Sequence, residues 1–132
     1  MALQVPVSWG ELLDKITILE IKQARIADPA KQINIGRELE ALRQVCRAHG
    51  DLTPAVRPLV DELRQINSEL WDIEDEIRDC ERRQDFGSRF VALARAVYIT
   101  NDRRSVVKRR LNDQLGSELV EEKSYQDYGG GQ

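Results

Sequence analysis

Residues 59–80 read LVDELRQINSELWDIEDEIRDC. Leu59, Leu63, Ile66, Leu70, Ile73, Ile77 and Cys80 recur at spacings of four and three. That alternation keeps one apolar line on the same side of a helix and is the seam of knobs-into-holes packing. A strand would alternate with period two, and no stretch here does so. The segment predicts a helix of about 25 residues, on the order of 37 Å long.

The flanking signals build outward from this helix. Ser8-Trp9-Gly10-Glu11 matches a capping box, and the helix it opens is expected to run to about Ala27. Its apolar residues, from Leu12 to Ile26, cover more than one stripe, so it should pack between neighbours. Asp28-Pro29 is a cap followed by proline at the first helical position, and the second helix should end at His49-Gly50. Thr53-Pro54 repeats that signal before the seam helix, whose regular part is expected after Pro58. Asp85-Phe86-Gly87-Ser88 is a short turn, and a fourth helix follows to Leu115, stopping at Gly116. The expected fold is therefore all-α: an antiparallel bundle of about four helices with a long helix 3–helix 4 hairpin. Residues 1–116 would form the bundle domain. Residues 117–132 would form a polar tail, with its Gly-rich end disordered.

Composition narrows the functional classes. The chain has 132 residues, 33% charged and 5% aromatic, with net charge −3. A mildly acidic chain has no global drive toward nucleic acid or anionic membrane. The start, MALQVPVSWGELLDK, lacks the basic region and apolar run of a signal peptide, and no stretch is apolar enough to span a bilayer. A cytoplasmic protein with two reduced thiols, Cys46 and Cys80, is expected. One histidine and no cysteine cluster give no zinc pattern.

Helix 4 carries the chemistry of interest. Phe90, Ala94, Val97, Asn101, Arg104, Lys108, Leu111 and Leu115 lie on one line, apolar at both ends and polar in the middle. Beside the seam of helix 3, Asn67, Trp71, Glu74 and Arg78 form a second stripe. A hairpin turning near residue 86 sets Trp71 beside Asn101 and Glu74 beside Tyr98. Asn67, Trp71, Glu74, Tyr98, Asn101, Arg104 and Lys108 are thus the candidate ligand-binding residues, in a cationic polar cleft between helices 1, 3 and 4. Arg104 and Lys108 are like charges one turn apart and need anions. Glu11, Asp14 or Glu20 of helix 1, Glu121 and Glu122 of the tail, or a ligand would supply them. The same residues read equally as structural glue along a seam.

VPVSWGELLDKITILEIK, INSELWDIEDEIR, FVALARAVYITNDRRSVVKRRLN and GSELVEEKSY together resemble an uncharacterised bacterial domain-of-unknown-function family. Trp9 stands where that family suggests an aliphatic residue. The resemblance implies a context near glycosyltransferases and cell-surface polysaccharide proteins, and it implies no catalytic residues.

The leading expectation is a non-enzymatic binding or assembly module for an anionic small molecule or protein partner, working as a homodimer without a cofactor. No nucleophile–base set is present. The alternative is a Mg²⁺-dependent all-α hydrolase of nucleotide-like phosphates, using Glu11-x-x-Asp14, Glu69-x-x-Asp72 or Glu76-x-x-Asp79. Nucleic-acid binding through Arg103, Arg104, Lys108, Arg109 and Arg110 is disfavoured, because no aromatic residues interleave.

Overall fold

The computed structural model describes residues 1–50 and 52–128. Asp51 and the glycine-rich end expected to be disordered, residues 129–132, lie outside the described residues. Four helices account for the fold: α1 (Trp9–Arg25), α2 (Pro29–Ala48), α3 (Arg57–Arg82) and α4 (Ser88–Leu115). No strand occurs among the described residues.

The helix ends follow the local chemistry. The Ser8 hydroxyl accepts the Glu11 amide at 3.1 Å and so satisfies one of the orphan donors of α1. The Glu11 carboxylate, which a capping box would send back to Ser8, reaches across to Lys108 instead. Asp28 caps α2 through the Ala30 amide at 3.0 Å, with Pro29 in the first turn. Thr53-Pro54 opens a separate turn, closed by the Val56 amide on the Thr53 carbonyl at 3.1 Å. Regular helix begins at Arg57, so Pro58 sits inside the first turn, where its missing N–H costs nothing. α4 ends on Gly116 at φ 64°, and the Ser117 amide bonds back to the Asn112 carbonyl at 2.9 Å. That left-handed cap favours glycine.

α1 is the centre of the bundle. It packs against α2, α3 and α4, while α2 approaches only α1 among the helices. This is why α1 is apolar around so much of its girth: Leu12, Leu13, Ile16, Leu19 and Ile21 are all buried. α3 and α4 form the antiparallel hairpin, and the Arg103–Glu69 bond at 2.8 Å falls on the expected register. α1 runs antiparallel to α4, with Gly10 at Asn112 and Asp14 at Arg104.

The seam of α3 is buried along only part of its length. Leu63 and Ile66 are fully enclosed with Val107 and Leu111 of α4, where α1 covers the hairpin. Further out, Leu70, Ile73 and Ile77 are half-buried, as are Phe90, Leu93 and Val97 opposite. Lengths explain this. The 26 residues of α3 span about 39 Å and the 17 of α1 about 25 Å, at 1.5 Å per residue.

α1 and α4 approach closely at Gly10, whose amide donates to Asn112 Oδ1 at 2.7 Å. A Cβ at position 10 would lie 2.7 Å from the Lys108 carbonyl oxygen and 3.0 Å from Asn112 Oδ1. Backbone against backbone cannot yield cheaply. Gly10→Ala should therefore destabilise the fold by about 1–3 kcal/mol, despite alanine's better helix propensity. Urea unfolding of the variant beside the wild type measures it, and an unchanged midpoint would contradict the packing described.

Candidate functional site

The buried polar centre is Asp14. It lies on the apolar face of α1, and its side chain is 2% exposed. A carboxylate so enclosed persists only if it is paired and hydrogen-bonded. Oδ1 accepts Asn67 Nδ2 at 2.9 Å and Arg104 Nε at 3.0 Å. Oδ2 accepts Arg104 Nη2 and lies 3.4 Å from Lys108 Nζ. Asn67 Nδ2 also donates to the Thr17 hydroxyl at 3.0 Å, and that hydroxyl donates to the Asp14 backbone carbonyl at 2.9 Å. No buried side-chain nitrogen or oxygen among the described residues lacks a partner.

Lys108 continues the network outward. Its side chain is 11% exposed, and Nζ donates to Glu11 at 2.8 Å and Glu121 at 3.4 Å. Glu121 in turn takes Lys123 at 3.2 Å. The polar interruption of α4 is thus answered by Asp14, Glu11 and Glu121, three of the five acids the sequence offered. Glu20 serves Arg43 and Arg64 instead, and Glu122 serves Arg109.

These contacts set the protonation states. Burial pushes the Asp14 carboxyl up, but the bonds from Arg104 and Asn67 and the charges of Arg104 and Lys108 outweigh it, leaving its pKa below the ordinary 3.8. For Lys108 burial acts downward; the Glu11 bond and the Asp14, Glu11 and Glu121 charges prevail and raise it above 10.5. The Asp14 bond raises Arg104, against burial.

Residues 117–128 have no regular structure and lie along α4 as a strap. The Ser117 hydroxyl accepts the Trp9 amide at 3.2 Å; Glu121 and Glu122 hold Lys108 and Arg109. The Tyr128 ring meets Tyr98 edge-on at 5.1 Å, and the Asp102 carboxylate at its hydroxyl pushes the phenol up to about 12. Between strap and helix lies a hollow of about 590 Å³, lined by Tyr98, Asn101, Arg104, Lys108, Lys123 and Tyr125 among others. A second hollow of about 350 Å³ lies between α1, α3 and α4, with Ile18, Asn67, Trp71, Glu74 and Arg104 in its wall. Asn101 and Arg104 border both.

All seven candidate residues therefore line one hollow or the other. Asn67 is buried against Asp14. Trp71 is half-buried under Arg25, whose guanidinium carbon lies 5.8 Å from the ring centroid. Glu74 pairs with Arg78 at 3.7 Å, and Asn101 accepts Arg104 Nη1 at 3.3 Å. The sequence reading passed over Lys123, Tyr125 and Tyr128, because nothing in a polar tail marks which side chains return to the helix. Asp14 was detectable as an acid set among Leu12, Leu13 and Ile16.

The paired carboxylates of the Glu-x-x-Asp patterns are engaged by cations. Glu69 meets Arg103, Asp72 meets Arg25, Glu76 meets Arg89, and Asp79 meets Arg82 and Arg83. No group of three or more His, Cys, Asp or Glu among the described residues is placed to hold a metal ion. No helix among them is long and apolar enough to cross a membrane.

Fold and site together define an all-α bundle protein with a buried ion network and a strap across its longest helix. The chain belongs to a family of unknown function, DUF6165, whose model matches residues 3–128. No curated protein and no solved structure matches the chain.

Arg104→Met leaves the buried Asp14 carboxylate short of its bidentate partner and should cost about 3–5 kcal/mol, read as a lower urea midpoint. A depressed carboxyl pKa contributes stability at pH values above the ordinary 3.8 and loses it as pH falls through the folded value. Stability measured from pH 7 to pH 2 should fall through that window in the wild type. Asp14→Asn should be less stable at pH 7 and flatter below pH 4; parallel curves would refute the assignment.

Proposed function

We propose that the chain is a non-enzymatic, homodimeric binding module whose ligand occupies the hollow between α4 and the strap. The carrying observation is the lining: Tyr98, Tyr125 and Tyr128 beside Arg104, Lys108 and Lys123 in about 590 Å³. Aromatic faces with a few directed polar groups suit a small molecule bearing a flat ring or sugar face. The cations suit a phosphate or carboxylate on the same molecule. The context that the family resemblance implies, near glycosyltransferases and cell-surface polysaccharide proteins, makes sugar phosphates and sugar nucleotides the first class to test. The same reading keeps the chain in a cytoplasmic setting.

The division of charge favours a specific mode of binding. Arg104 gives Nε and Nη2 to Asp14, so its part is to hold the helices and to line the wall. The ligand anion is received by Lys108 and Lys123, where it replaces Glu121. That carboxylate sits on the strap with its side chain 47% exposed, and it bridges both lysines at 3.4 and 3.2 Å. It stands in for the anion and is the most easily displaced member of the network.

Isothermal titration with inorganic phosphate, glucose 1-phosphate, UMP and UDP-glucose tests this. Binding is expected for at least one ring-bearing phosphate. Glu121→Gln removes the internal competitor and should tighten it by about tenfold, or 1.4 kcal/mol. Lys123→Ala and Tyr125→Ala should each weaken it by about tenfold. Absence of heat across the panel for both the wild type and Glu121→Gln would defeat the reading.

A further inference from the structure

The outer part of the α3–α4 hairpin has one closed side and one open side. On the closed side Glu69–Arg103 and Glu76–Arg89 bridge the helices over Thr100 and Cys80, both buried. On the open side, where α1 lies nearer the base, the α3 edge carries Trp71, Glu74 and Arg78. Val91 is 52% exposed and Phe86, at the hairpin tip, 49%. A two-helix arm cannot enclose its own seam, so this face calls for further helices.

We propose that the open face is the homodimer interface, in which the arms of two copies pair antiparallel to form a four-helix bundle. The inference rests on the homodimeric part of the proposed function and not on the ligand. Its support is self-complementarity, the requirement of a two-fold interface. Glu74 and Arg78 lie one turn apart on the rim, 3.7 Å from each other, with Arg78 largely exposed and Glu74 half-buried. A two-fold axis between them sets each Glu74 against Arg78 of the second copy. The same axis brings Phe86, about ten positions beyond it along an antiparallel helix, level with Ile66 to Leu70 of the other copy. There lies the hollow of about 350 Å³, where Ile18, Leu70 and Trp71 form an apolar patch within a rim of polar and charged side chains. An exposed aromatic tip and the apolar part of a hollow of the same chain thus meet through one operation, twice.

The interface predicts a charge-reversal pattern. By multi-angle light scattering at about 100 µM, well above a micromolar Kd, the wild type should have twice the 15.1 kDa of one chain. Arg78→Glu sets carboxylate against carboxylate and should give the single-chain mass. Glu74→Arg with Arg78→Glu restores opposite charges and should restore the dimer. Phe86→Ser should also dissociate it. Unchanged helical circular dichroism in each variant separates dissociation from unfolding. A wild type of single-chain mass overturns both the homodimer and this interface. A dimeric wild type whose Arg78→Glu and Phe86→Ser variants stay dimeric, or whose double variant fails to recover, overturns the interface alone. Neither outcome bears on ligand titration, which reads the strap side of α4.

Discussion

A buried carboxylate on the central helix organises this protein. Asp14 is held by Arg104, Asn67 and Lys108, which come from two other helices. Burying an ion without partners is prohibitive, so the carboxylate allows few arrangements of α1, α3 and α4. Sliding α1 by one turn along α4 would strand Asp14 and set its acid among apolar groups. The apolar contacts of Leu13, Leu63, Ile66 and Leu111 supply the bulk of the cohesion. They do not discriminate among registers as sharply, because leucine meets leucine in several.

The same network links the core to the surface. Its inner end, Asp14 with Asn67 and Thr17, is enclosed; its outer end, Lys108 with Glu121 and Lys123, reaches the strap. Members at the two ends serve different ends physically. Inner bonds replace lost hydration and must be kept. The outermost pair, Glu121 with Lys123, is half-exposed and worth little by itself, so it exchanges partners readily. That gradient supports the proposal that a ligand anion binds at the Lys108–Lys123 end, while the Arg104–Asp14 end holds the helices together.

Two features of α4 serve two surfaces. Asn101 and Arg104 separate a tyrosine-lined hollow under the strap from a tryptophan-walled hollow beside α3. The stripe that looked like a single cleft in sequence is a wall with a space on each side. A helix exposes more than one flank, and positions three and four apart drift to either side of a line.

Much of the architecture was legible without coordinates because its causes are local. Ser8, Asp28-Pro29 and Gly116 mark helix ends through hydrogen bonds made within a turn. The four-and-three spacing from Leu59 to Cys80 determines which side of α3 is apolar, and the polar run Asn101–Arg104–Lys108 announces that charges need partners. What the sequence could not decide was which partners those are. Asp14 and Glu20 differ by six positions on one helix, yet only Asp14 faces Arg104, while Glu20 turns to Arg43 and Arg64. That choice depends on how α1 crosses the hairpin. The return of Tyr128 to Tyr98, thirty residues away in sequence, depends likewise on the path of the strap. So does the half-covered arm, since a seam of seven apolar positions states what must be packed and only the relative lengths of α1 and α3 decide how much of it one chain can cover.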